Sequence, residues 1–247
     1  MTVQSAMTET PLYLSRADGM SNEYVAYARK LATMSYQTLC GRQLHVLSVP
    51  AYKPWADEEH RALFAERARF SELANELAQT VLPDLGLDPE ALREEAESAL
   101  AAGRKLRLTA IPLEHWTDGV VFHYLYTVVL AGQLPALIGS NYIPYANWAQ
   151  KLYFSCCLVR WPGPVGSPIL PRLRRAVAED GAASVQACVA KWWPHAISSF
   201  GAPGSANEQA YLRLGLKIRP NAMCREMFLN IVQPDFAELG LKLGALP

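Results

Sequence analysis

The sequence has no excess charge of either sign. Its 23 Lys and Arg residues balance 23 Asp and Glu, giving a formal net charge of zero. That removes the electrostatic footprint expected of a nucleic-acid-binding protein and the acidic bias expected of a disordered chain. Nor is there charge to keep copies apart in solution, which points toward a partner. Paired cysteine motifs are missing too. Cys40, Cys156, Cys157, Cys188 and Cys224 are odd in number and form no Cys-x-x-Cys step, so they read as reduced thiols of a cytoplasmic protein. There is no Gly-x-x-x-x-Gly-Lys phosphate loop, no dinucleotide fingerprint and no Gly-x-Ser-x-Gly elbow. The first 20 residues are polar and mixed, unlike a secretory signal. The longest apolar run, about 120–138, is interrupted by His123, Gln133 and Pro135, and reads as a buried helix rather than a membrane span. Alternating strand patterns are nearly absent.

What remains is helical. Hydrophobic residues make up 51% of the 247, enough for a large core. After an arm expected to be flexible over residues 1–21, apolar residues recur at helical spacing over 22–47. A second helix is expected from Asp57, an N-cap followed by Glu58 and Glu59, to about 82. A short exposed helix follows, with Asp88 as cap, Pro89 in its first turn and Gly103 at its end. Further helices are expected at about 117–138, 144–160, 169–179, 182–200, 206–217 and 221–239, the last bent near Pro234. The fold class is therefore all-α, one helical domain over 22–247, with four long helices suited to a bundle and additional C-terminal helices.

A helical bundle raises the question of a di-iron centre. Such sites take a Glu from each of two helices and a Glu-x-x-His from each of two others, because residues three apart share a helix face. The chain contains no Glu-x-x-His. The nearest spacing, Asp57-x-x-His60, lies at a helix start, where Asp57 is explained as a cap. Glu72 and Glu76 share one face but lack a matching His, and read as a solvated face. His115 follows Glu114 directly, and adjacent helical residues do not face each other. Cys156 with His123 or His45 would supply two ligands where three or four are needed.

The second half of the chain carries a resemblance. "GQLPALIGSNYIPYA" (132–146), "KWWPHAISSFGAPGSANEQAYLRLGLKI" (191–218) and "REMFLNIVQPDFAELGLKL" (225–243) resemble the catalytic subunit of the phenylacetyl-CoA epoxidase family, a ferritin-like di-iron ring oxygenase. The likeness is clear from about 115 to 243. It is weaker over 24–112, where "LPDLGLDPEAL" is the best anchor. It implies a ferritin-like four-helix bundle and, residue by residue, the places where iron ligands would stand. The Glu and His of one Glu-x-x-His fall on Cys156 and Val159, and those of the other on Ser71 and Ala74. A third-helix carboxylate falls on Tyr126, and a first-helix carboxylate near Gly41 or Arg42. None of these can serve as an iron carboxylate or imidazole.

Loss across all four helices is what a converted core requires, since carboxylates and imidazoles left without their metal would form an expensive buried cluster. A second departure from the family is "RWPGPVGSPILP", whose Pro162, Pro164, Pro168 and Pro171 should end the fourth helix early. The resemblance thus implies a metal-free pseudoenzyme, a subunit without cofactor that pairs with a second ferritin-like di-iron chain, with no nucleic acid and no membrane involved. Two other readings remain open: an oxygenase of acyl-CoA or aromatic substrates with an atypical di-iron site, and a ligand-binding protein without chemistry. For the last, His123, Lys151 and Arg160 are the candidate pocket residues, with the Trp192-Trp193 pair beside them. Single basic and aromatic residues of this kind are more often surface charge and core.

Overall fold

The structure, a computed structural model, describes residues 13–16, 19–47, 69–101, 113–156 and 169–244, without the side chains at 41–47, 100, 101 and 156. Among the described residues it is all-α, with nine helical segments and no strand. The segments are α1 (Asn22–Leu47), α2 (69–80), α3 (Pro89–Ala101), α4 (Trp116–Ile138) and α5 (Ile143–Cys156), then α6 (Ile169–Asp180), α7 (Ala182–Ser198), α8 (Ala206–Arg213) and α9 (Asn221–Glu238). The expected cap Asp57, His60 and Gly103 lie outside the described residues, as does the end of the fourth expected helix beyond Cys156.

Local chemistry explains the boundaries. Ser21 Oγ accepts from the Tyr24 amide at the start of α1 (3.2 Å), and Asp88 Oδ1 accepts from the Glu90 amide at the start of α3 (3.0 Å). Helix α4 starts on a less common cap: His115 Nδ1 accepts from the Asp118 amide at 3.1 Å. Helix α8 ends at Arg213, four residues earlier than the apolar pattern of "YLRLGLKI" suggests. Gly215, at φ +70°, closes it in a Schellman turn, with the Leu216 amide on the Tyr211 carbonyl (2.9 Å) and the Gly215 amide on Leu212 (3.1 Å). Pro171 is tolerated because it falls in the first turn of α6.

Helix α4 is the centre of the molecule. It packs against α5, α6, α7 and α9, while α1 lies against α3 and α8. It is long and apolar enough to cross a membrane, yet most of it is buried among those neighbours, including Val120, Val121, Tyr124, Leu125 and Val128. Its buried residues run almost all the way round, as expected of a helix enclosed on every side. The short link between α4 and α5 makes them antiparallel neighbours. Part of the expected N-terminal arm is held here: Leu14 takes a hydrogen bond from the Ile143 amide (2.9 Å) and gives one to the Asn141 carbonyl (2.7 Å).

At the α4–α9 crossing Gly132 is a steric requirement. A Cβ there would stand 2.7 Å from the Cys224 carbonyl oxygen and 3.2 Å from the Phe200 ring. Gly132→Ala is expected to cost about 1–3 kcal/mol through forced separation of the two helices. Urea denaturation reads this directly, and an unchanged midpoint would show that the crossing has slack.

Candidate functional site

Two of the positions where the resemblance expects iron ligands lie in the hydrophobic core. Ala74 on α2 is 1% exposed and Tyr126 on α4 is 2% exposed. Ser71 is half-buried. Cys156 closes α5 with its side chain outside the description, and Val159 and Arg160 lie outside the described residues. Helices α2 and α5 are joined by side-chain bonds. Trp148 Nε1 donates to the Leu73 carbonyl (2.9 Å), Arg69 donates to Ser155 Oγ (2.7 and 3.1 Å), and Lys151 Nζ donates to Glu76 (2.5 Å). Glu72 pairs with Arg69 at 2.8 Å. Glu72 and Glu76 are therefore engaged by basic neighbours, as a solvated face would be. Among the described residues no group of three or more His, Cys, Asp and Glu side chains is arranged to hold a metal ion.

The two pocket candidates among the described residues, His123 and Lys151, are not brought together. Lys151 lies on the outer α2–α5 seam with 54% of its side chain exposed. His123 is buried on α4, its Nδ1 3.4 Å from Nη1 of Arg172, itself buried on α6. Trp192 and Trp193 are fully buried core residues. Near them Asp118, 1% exposed, accepts from Lys191 Nζ (2.6 Å), from the Glu114 amide (3.0 Å) and from Trp192 Nε1. Burial, and after it the Asp118 charge, push the adjacent Cys188 thiol up to about 11, so it stays protonated and behaves as packing.

Elsewhere in the described structure lies a partly open cavity. Its volume is about 210 Å³, and it opens between α1, α4, α5 and the corner formed by the end of α7 with α8 and α9. Its apolar wall includes Leu31, Met34, Leu130, Leu134 and Phe200, with Tyr126 and Trp148 beside them. Neither His123 nor Lys151 lines it. The other end is polar, with Lys30, Gln133, Asn207, Glu208, Lys217 and Asn221. Lys30 Nζ donates to Asn207 Oδ1 at the rim (2.9 Å), and the Gln133 amide donates to the Ser199 carbonyl (2.6 Å).

At this end sits a buried carboxylate whose needs are met by backbone. Ser205 and Glu208 occupy capping-box spacing at the start of α8. The Glu208 oxygens accept from the Gly204 amide and from the Asn221 amide, the first residue of α9. One carboxylate thereby ties together two helix N-termini, where negative charge is favourable. Lys217 Nζ is set beside it and donates to Asn221 Oδ1 at 2.8 Å. Burial lowers the Lys217 pKa below its usual 10.5, against a weaker upward pull from Cys224 and Glu208. In the unfolded chain the amine would hold its proton more tightly. Its charge therefore costs stability at all pH values below the folded pKa, and the cost is relieved as pH rises toward 10.5.

Sequence reasoning missed this site. The Ser205-x-x-Glu208 spacing was a readable signal for the helix start, but a single Lys217 gave no sign of facing a cavity. Compared with known proteins, the chain matches no family model and no curated protein.

Proposed function

We propose that this chain is a metal-free, non-catalytic ferritin-like subunit that pairs with and supports an active di-iron oxygenase subunit of phenylacetyl-CoA epoxidase type. One observation carries the reading. At Ala74 and Tyr126, where the resemblance places ligands on two different helices, the side chains belong to the hydrophobic core. A carboxylate or imidazole buried there without a metal would cost several kcal/mol, on the order of the penalty for an unpaired buried charge. A small residue and an aromatic one suit a helix that keeps its packing role and gives up the chemistry. The long central helix and the α2–α5 cross-links supply the rigid body such a supporting subunit needs.

Co-purification is the test. Tagged full-length chain, expressed in its native host, is expected to bring down a second helical chain carrying two Glu-x-x-His motifs, with iron found in that partner and not in this one. A metal-bearing protein that purifies alone with about two irons per chain, the complement of a di-iron site, would overturn the proposal.

A further inference from the structure

The cavity has a chemistry of its own, independent of any pairing with a second subunit. We infer that it is a binding site for a small monocarboxylate with a single-ring aromatic or similarly sized apolar body, its carboxylate at Lys217 and its body against Leu31, Leu130, Leu134 and Phe200.

Size comes first. An apolar cavity of about 150 Å³ holds benzene, whereas sites for drug-sized ligands run to about 300–1,000 Å³. The space here, about 210 Å³, suits one ring with a short side chain and cannot enclose a nucleotide-bearing molecule. Shape and polarity come next. One end is leucine, methionine and phenylalanine, and the other is a tight group of polar side chains, the arrangement that fixes the orientation of an amphipathic ligand.

Charge decides the head group. Glu208 acts on Lys217 through its charge, but its oxygens are held by the Gly204 and Asn221 backbone amides and no hydrogen bond joins it to Lys217. Among the described residues the cavity lining as a whole carries two lysines, Lys30 and Lys217, against this one carboxylate. The hydrogen-bond acceptor that Lys217 holds is the neutral Asn221 side chain. A partly desolvated ammonium with a neutral acceptor is completed by an anion placed within hydrogen-bond reach. An amine or other cation would be repelled, and a neutral ligand would leave the charge as it is. Lys30, more exposed at the rim, adds a second positive charge along the way in.

Calorimetric titration of the full-length chain tests this with benzoate and 3-phenylpropanoate. Benzyl alcohol serves as a ring without charge and acetate as a charge without a ring. The two aromatic acids are expected to bind at least about tenfold more tightly than either control, the worth of one charge-assisted hydrogen bond or of burying the ring. Lys217→Met should weaken the acids by about ten- to a hundredfold. Leu134→Trp, which fills the apolar end, should weaken the acids while leaving Lys217 in place. The inference fails if neither acid binds the unmodified chain, if benzyl alcohol binds as well as benzoate, or if Lys217→Met, folded by circular dichroism, binds the acids unchanged.

Discussion

Asp118→Ala is expected to lower the stability of the folded chain by about 3–5 kcal/mol, the usual cost of removing one partner from a buried ion pair. Asp118 is almost inaccessible to solvent and joins three elements. Its carboxylate accepts hydrogen bonds from Lys191 and Trp192 on α7 and from the Glu114 backbone amide just before α4, while its own amide donates to His115. Its carboxylate also lies in the first turn of α4, where negative charge offsets the helix dipole. Removing it would leave the Trp192 N–H buried without its acceptor and strip Lys191 of its nearer carboxylate. Glu114, 3.6 Å away and well exposed, cannot replace it. Asp118→Asn keeps an acceptor for Trp192 but sets an amide NH2 where Oδ2 accepts from Lys191 and the Glu114 amide, so a loss of about 1.5–3 kcal/mol is expected. Urea denaturation with far-ultraviolet dichroism measures both. If the alanine variant falls within about 1 kcal/mol of the parent, the junction of α4 and α7 is held by apolar packing around Trp192 and not by this network.

Ala74→His is the second large effect, and it bears on function. It returns an imidazole to the place where the resemblance expects one. Ala74 is enclosed by core residues of α2 and its neighbours, so the ring must displace packed atoms, at about 1–3 kcal/mol, and also bury a polar group. A loss of at least about 2 kcal/mol is expected, with no gain of iron on incubation with ferrous salt under argon. The paired change Ser71→Glu with Ala74→His should do no better, because the described third-helix position is Tyr126, which supplies no carboxylate. A stable double variant that takes up iron would mean that the core still holds a metal-shaped space, and the reading of a converted bundle would fall.

Helix positions were legible wherever one face had to be buried at a 3.6-residue period or a cap followed local rules. Asn22–Leu47 and the Asp88–Pro89 start of α3 follow from such patterns, and the central α4 from the length of its apolar run. The end of α8 was not, because Gly215 lies inside a run whose apolar spacing continues past it. Only the left-handed backbone at that glycine shows where the helix stops. The cap supplied by His115 was also hidden, since histidine is not among the residues that usually signal a helix start. For the site, the sequence named Ser71, Ala74 and Tyr126 only as positions where a resemblance would place ligands, and the structure puts Ala74 and Tyr126 in the core. Pocket residues were not legible. Lys151 turned out to bind Glu76 on an outer seam, and His123 to face Arg172.

The sequence by itself determined an all-helical chain of balanced charge, without a Glu-x-x-His step and with a central helix too apolar to stand in water alone. Those properties are local or compositional, and each can be read within a window of a few turns. Only the tertiary structure decided that Lys30, Tyr126, Trp148 and Lys217 border one cavity, though they come from four separate segments of the chain. It also decided that Glu208 accepts hydrogen bonds from two helix N-termini while Lys217 donates to the neutral Asn221 side chain. No periodicity encodes that arrangement. It arises when helices pack, because packing brings distant side chains to one surface and removes the water that would otherwise have satisfied them.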